Sequence, residues 1–332
     1  MKVTLSMVAQ EAAVSPSTVS RILNGTAKVD PVKQKRVQEV IERLGFRPDY
    51  AARTLAGGRT STIGVVTQFI DSPFYGEVLR GIEIELRQHQ QVPLFVSGHW
   101  DEAEERACID LLRDRKVDGI IALNSCLSDA QLKELAADVP LVVTGRRLFG
   151  PRMASLDYDN IGGAKEAVEH LIEQGHERIA FISGPTNHVD ARERLGGYMA
   201  ALGNRAHRDP RLIVDADYQE QGGFDATMQL LDSGVGFTAL LAANDQMAFG
   251  ARLALHERGL RVPQDVSLVG FDDLYFSRYM TPPLTTVHHS AEDLGRQASQ
   301  ALLGLLRGES GGHHLLPTTF IQRQSTHPIS SV

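Results

Sequence analysis

Beyond Thr60 the chain is built from short unbroken apolar runs: Ile63–Val66, Pro93–Val96, Gly119–Leu123, Leu141–Val143, Ile179–Ile182, Leu240–Ala242 and Val266–Val269. Between most of them lie amphipathic segments long enough for helices of ten or more residues. Continuous β-branched runs alternating with helices predict buried parallel strands with crossover helices on both faces. The stretch Arg178–Pro185 (RIAFISGP) echoes Thr62–Thr67 (TIGVVT), and each opens a string of βα units. The prediction is therefore two similar doubly wound lobes. Loops from their strand C-terminal ends should face a shared cleft, where such a fold places a small ligand.

The first 45 residues follow a different period and predict three short helices. Thr4 is placed to cap one carrying Leu5, Val8, Ala9 and Ala12 on one face, and Ala13-Val14 then turns the chain. Ser15 caps a second with Pro16 at its first position, and Asn24-Gly25 stops it. Asp30-Pro31 starts a third, bearing Val32, Val37, Val40, Ile41 and Leu44, which Gly45 ends. The segment RPDYAARTLAGGR (47–59) is too short to bury much by itself and reads as a linker that is helical only in some states.

Charge separates these two regions. The 332-residue chain has a net charge of −7, which taken whole argues against a polyanionic partner. The first sixty residues, however, hold 10 Lys+Arg against 5 Asp+Glu, net +5, and the remainder 24 against 36, net −12. A basic end on an acidic body is the asymmetry expected where one end meets phosphate. Two cysteines, Cys108 and Cys126, make neither a disulfide framework nor a four-cysteine zinc site and suit a reducing cytosol. The N-terminus lacks an apolar signal core and no apolar run approaches ~18 residues, so a cytoplasmic protein with no membrane partner is expected. Serine-elbow, phosphate-loop, HExxH and dinucleotide-loop signatures are missing. Asp157-Tyr158-Asp159-Asn160 clusters two carboxylates, but their place near a lobe crossover reads as hinge and capping groups. Neither catalytic residues, a metal nor a cofactor is expected.

The segment LSMVAQEAAVSPSTVSRILNG (5–25) has the spacing of a helix-turn-helix, whose second helix lies in a DNA major groove. Val19, Ile22 and Leu23 take its apolar side, leaving Pro16, Ser17, Ser20 and Arg21 outward; Arg21 can pair with guanine O6 and N7. The segment and the following VDPVKQKRVQEVIERLGFRPDYAARTLAGG closely resemble the DNA-binding headpiece of the LacI/GalR family of bacterial transcriptional regulators. The resemblance continues through EHLIEQGHERIAFISGP (169–185), ANDQMAFGA (243–251), VPQDVSLVGFDD (262–273) and PPLTTV (282–287). It implies a small all-α helix-turn-helix domain at 1–46, a hinge helix and linker at 47–60, and a periplasmic-binding-protein-like α/β core at 61–332. The lobes would be about 61–159 with 289–318, and 160–288 with 319–328, the chain crossing between them three times.

What the resemblance implies functionally is a homodimeric repressor on double-stranded, pseudo-palindromic operator DNA, released or recruited by a small effector such as a sugar, sugar phosphate or sugar acid. The DNA-contacting set would be Thr4, Leu5, Ser15, Pro16, Ser17, Thr18, Ser20, Arg21, Asn24, Tyr50, Arg53 and Leu55, the leucine wedging into the central minor groove. The chain's end lacks the leucine-heptad tail of tetrameric relatives, so a dimer is expected. Effector candidates are Asp71, Phe74, Tyr75, Arg146, Arg194, Tyr218, Asn244, Asp272 and His289. Phe74 or Tyr75 could lie against a sugar face or pack in the lobe, and Arg194 offers a planar fork of donors. Gly145-Arg146-Arg147 departs from relatives acidic at its first position, giving either a cationic pocket edge or a solvated loop. Asp245 and Asp273 should cap the helices that follow them. His288 or His289 could touch ligand or serve the hinge, while His313 and His314 read as surface residues in a Gly-rich turn. A solute-binding protein or sugar-processing enzyme would share the core, but the first needs a signal peptide and the second paired catalytic groups.

Overall fold

A computed structural model describes residues 3–24, 30–46, 59–203 and 209–329. The chain divides into two compact units, Met1–Thr60 and Ser61–Val332. In the first, helices α1 (Leu5–Glu11), α2 (Pro16–Asn24) and α3 (Pro31–Leu44) close on a core of Val8, Ala9, Ala12, Val19, Val37, Val40 and Phe46. The caps are those the sequence encodes: Thr4 Oγ1 accepts from Met7 N, Asp30 Oδ1 accepts from Val32 N at 2.8 Å, and Gly45 takes the left-handed φ of 61° that ends α3. Val32, expected on the core face, is 71% exposed, because it lies in the first turn of α3, ahead of the Val37/Val40 stripe. The expected hinge positions Tyr50, Arg53 and Leu55 lie outside the described residues, as does the side chain of Asn24.

The second unit contains two parallel sheets. One lobe is a six-stranded sheet in the order β11–β5–β4–β3–β1–β2, from β1 (Thr62–Thr67), β2 (Val92–Ser97), β3 (Gly119–Ala122), β4 (Leu141–Thr144), β5 (Met153–Tyr158) and β11 (His313–Leu316). The other is four-stranded, β7–β6–β8–β9, from β6 (Ile179–Ser183), β7 (Ile213–Asp215), β8 (Ala239–Ala242) and β9 (Ser267–Val269). An antiparallel ribbon of β10 (Thr286–His288) and β12 (Thr319–Ile321) completes the strands described. The first lobe's helices are α4 (Pro73–Gln88), α5 (Glu102–Asp114), α6 (Asp129–Asp138) and α11 (Ala291–Leu306). The second's are α7 (Asn160–Glu173), α8 (Val189–Leu202), α9 (Glu220–Asp232) and α10 (Asp245–Glu257). The chain passes between lobes after β5, after β10 and between β11 and β12.

All seven expected runs are strands, and five further strands appear that apolar runs did not reveal. β5 (MASLDY) is buried throughout but includes Ser155 and Asp157, so its composition hid it. β7 and the ribbon strands are only three residues long. His313 and His314 are not in a turn: they belong to the edge strand β11, paired in parallel with β5, and Ser155 Oγ lies 3.1 Å from His313 Nδ1. α4 and α11 approach so closely that glycine is needed at the crossing. A Cβ on Gly81 would sit 2.1 Å from Glu292 O, and one on Gly295 2.1 Å from Val78 O.

Candidate functional site

In the helical unit, α2 turns Val19 inward and leaves Pro16, Ser17 and Arg21 exposed. Ser15 Oγ accepts from Thr18 N at 3.2 Å and bonds the hydroxyls of Ser17 and Thr18, each at 2.8 Å, so the start of α2 presents linked small polar groups. Leu5 is partly buried against the unit's core, and Thr4, exposed, accepts from Met7 N while keeping its hydroxyl proton to donate. Ser20 is half-buried.

In the core, both lobes line one cleft enclosing about 650 Å³, part of it open solvent. Phe69, Phe74, Tyr75, Trp100, Asn124, Asp157 and Tyr158 come from the first lobe; Asn160, Asp190, Arg194, Tyr218, Asn244, Gln246 and Asp272 come from the second. Arg194, on α8, is buried, its Nε donating to Asn160 Oδ1 at 2.9 Å and its Nη1 to Ala243 O at 2.5 Å. The same Nη1 lies 3.5 Å from Asp272 Oδ1, and the guanidinium carbon lies 3.9 Å from the Phe271 ring centroid. Its Nη2 has no protein acceptor among the described residues and remains for a ligand oxygen.

Asp272 follows β9 with φ 112°, and Tyr218 (φ 67°) and Asn124 (φ 45°) also hold left-handed backbone beside the cleft. Strain of this kind collects where side chains must be aimed. Tyr218 is seated on Gly184, where a Cβ would lie 2.1 Å from its Cζ, and its buried hydroxyl has no partner among the described residues. Asn244 donates from Nδ2 to Tyr218 O at 2.9 Å and accepts at Oδ1 from Met247 N at 2.9 Å. Its amide therefore holds the tyrosine and caps α10. On the opposite wall Gln68, fully buried, donates from Nε2 to Leu123 O (3.0 Å) and Asn124 O (3.2 Å) and accepts from Trp100 N at 2.8 Å. It fixes the loops after β2 and β3 together.

Side chains of the two lobes meet across the cleft. Ser72 Oγ donates to Gln246 Oε1 at 3.2 Å, and the Trp100 ring meets His188 edge-on at 4.4 Å between centroids. Trp100 packs against the apolar cores of both lobes. Burial governs the acids here. It pushes Asp272 up to about 7, Arg194 opposing and Asp190 adding; it pushes Asp157 up to about 7, with the Glu193 carboxylate adding; it pushes Asp245 up to about 8, with Asp272 adding. Burial likewise holds His289 well below the usual imidazole range, with the Arg194 charge acting the same way.

Of the expected effector residues, the structure brings Phe74, Tyr75, Arg194, Tyr218, Asn244 and Asp272 to this cleft. Three others lie elsewhere. Asp71 is exposed in the loop before α4. Arg146 is drawn away, donating to Leu127 O and Ser125 O and pairing with Asp129. His289 stands behind the wall, its Nε2 2.8 Å from Asp272 Oδ1 and its ring between Phe74, Tyr158 and Phe271. Neither Asp245 nor Asp273 caps a helix. Asp245 is fully buried, accepting from Leu274 N, Ser277 Oγ and Thr286 Oγ1, while Asp273 takes Arg323 Nη2 at 2.5 Å. Trp100, Asn124, Asp157 and Asp190 escaped the sequence reading; Trp100, the single tryptophan, placed just after a strand, was the one visible signal. Of the clustered acids 157–159, Asp159 caps α7 as expected, whereas Asp157 faces the cleft.

A helix-turn-helix unit in one chain with a two-lobed α/β core and a polar, aromatic interlobe cleft defines the class of ligand-responsive bacterial regulators. Residues 4–49 match the bacterial regulatory proteins of the lacI family, and residues 168–326 match the periplasmic binding protein-like domain. Catabolite control protein A of Priestia megaterium is 35% identical over 98% of this chain and all of its own length. The HTH-type transcriptional regulator CelR of Thermobifida fusca is 36% identical over 92% of this chain and 93% of its own. Among solved structures, the lac repressor dimer bound to operator and the anti-inducer ONPF superposes with a TM-score of 0.87 at 30% identity, covering 98% of this chain and 100% of that one. The complex of CelR with cellobiose gives 0.73 at 32% identity, covering 98% and 100%. The chain belongs to the lacI family of bacterial regulatory proteins. Among the described residues no helix is long and apolar enough to cross a membrane.

Proposed function

We propose that this protein is a transcriptional repressor that binds a pseudo-palindromic operator as a homodimer, with affinity set by a small polyhydroxylated effector in the interlobe cleft. The observation that carries this reading is the cleft itself: Arg194 and Asp272, held by buried partners, present a donor and an acceptor beside aromatic rings. That combination suits a polyol, whose hydroxyls need both and whose carbon face is apolar. The exposed Pro16–Ser17–Arg21 face of α2 supplies the DNA-reading surface, positioned as in groove-reading helices. Support also comes from relatives: the lac repressor was solved on operator, and CelR was solved with cellobiose.

Because the effector sits between lobes that touch through Ser72–Gln246 and Trp100–His188, its binding biases their relative angle. A coupling of ~1–3 kcal/mol changes operator affinity roughly 5- to 150-fold. The protein acts as a regulator and not an enzyme, its cleft acids serving to bind. The test is operator gel shift with DNA upstream of its own gene, at low salt, with and without a panel of sugars and sugar derivatives. Ligand-dependent change in operator affinity without ligand turnover is the expected result; turnover of any panel member, or no palindromic site bound, contradicts the reading.

A further inference from the structure

We propose that the effector carries a protonated amine, an amino-substituted polyol, and that the cleft selects it over neutral and anionic polyols. This rests on the regulator reading above and concerns the charge class of its ligand.

Two carboxylates line the cleft from opposite lobes without an ion pair among the described residues, the Arg194 charge reaching them only from a distance. Asp157, from β5, is 6% exposed, and among the described residues its only hydrogen-bond partner is the backbone N–H of Tyr158, at 2.8 Å. Asp190, in the first turn of α8, is bonded among the described residues only by Ala191 N, at 2.9 Å. The one guanidinium in the cleft wall, Arg194, spends Nε and Nη1 on Asn160, Ala243 O and Asp272, which leaves Nη2 to a ligand oxygen and its charge facing Asp272. Arg146 at the rim is held by Asp129 and two carbonyls. His188, the other basic group at this edge, is kept neutral by burial. A buried carboxylate without a counter-charge is costly, and a cation arriving with the ligand removes that cost.

A second observation points to a ligand at the same place. Tyr218 is 7% exposed and lines the cleft, yet its hydroxyl has no hydrogen-bond partner among the described residues. That hydroxyl can accept an ammonium N–H or pair with a ligand hydroxyl. The Trp100 and Tyr218 rings, 6.1 Å apart, add the electron-rich faces that attract a cation. A phosphate or carboxylate on the ligand would instead meet Asp157, Asp190 and Asp272, with only the Nη2 edge of Arg194, whose charge Asp272 already faces, to set against them.

Calorimetric titration of the full chain at pH 7 with glucosamine, galactosamine and mannosamine, against glucose, galactose, mannose and glucose 6-phosphate, tests this. At least one amine should bind 10-fold or more tightly than its neutral parent, with no detectable phosphate-ester binding. Asp157→Asn, and independently Asp190→Asn in case the first variant folds poorly, should collapse that preference toward unity. Equal or tighter binding of a parent sugar or the phosphate, or no binding of any amine, overturns the proposal. The regulator reading is judged separately. A neutral sugar that releases operator would leave it standing while the amine assignment falls, and failure to bind any operator would sink it whatever the titrations show.

Discussion

His289 Nε2 and Asp272 Oδ1 lie 2.8 Å apart in the interior of the core, both residues buried, at the second point where the chain passes between lobes. Because burial keeps the imidazole neutral, Nε2–H is the donor and the carboxylate is held for Arg194 and the ligand. His289 is thus a positioning residue behind the contact groups. Replacing it with Leu strips a buried acceptor of its donor, an effect of ~1–3 kcal/mol. His289→Leu should therefore bind effector about 10-fold or more weakly, and His289→Gln, which keeps a donor, should recover most of that loss in the same titration.

The raised acids make a stability prediction of definite sign. Asp157 and its unfolded counterpart are both protonated well below pH 4 and make no difference there. Above that, the unfolded carboxyl ionises first, so folding stability falls as pH rises until the folded group ionises at about 7. Asp157→Asn should raise the melting temperature at pH 8 and leave it nearly unchanged at pH 4, as read by thermal denaturation. His289 runs the other way: with its folded pKa depressed, it contributes stability that is present above about 6.5 and lost as pH falls below it. Equal melting temperatures for Asp157→Asn and the parent at pH 8 would contradict the burial argument.

In the helical unit, Arg21 is exposed on the last turn of α2, whereas Val19 is fully buried. Arg21→Ala should weaken operator binding by ~1–3 kcal/mol, roughly 5- to 150-fold, and relax base preference at one position of each half-site. Fluorescence anisotropy on operator variants would show both effects. An unchanged affinity would place the reading face elsewhere on the unit.

Trp100 is the single tryptophan, lines the cleft and touches both lobes through the apolar cores. Effector binding should shift or quench its emission with the same midpoint as the calorimetric titration. Trp100→Phe should abolish the signal and weaken binding several-fold. A titration that leaves the emission spectrum unaltered while heat is released would put the ligand outside this cleft.

How far the sequence spoke depended on whether a residue's role was local or collective. Caps such as Thr4 and Asp30 depend on neighbours three residues away, and the parallel strands announce themselves as apolar runs, so both were legible. Asp272 was legible because it stands in the VGFDD stretch, and Arg194 and Tyr218 because the family resemblance marks their positions. Asp157 was not, since a buried polar residue inside a strand of mixed composition looks like surface. The cap expected of Asp245 falls to Asn244, which also stays at the cleft, because position alone cannot say which carboxylate or amide reaches the helix start. That choice was made by Ser277 and Thr286, more than thirty residues away, which hold Asp245 inward.

Control of DNA affinity from the cleft is read by operator gel shift at low salt, with effector titrated in, for the parent chain and for Arg194→Ala. The parent should bind a palindromic site and respond to effector by at least 5-fold, and Arg194→Ala should bind the same site yet lose the response. An effector response that survives loss of Arg194, or a parent chain that binds no palindromic DNA, would contradict the account.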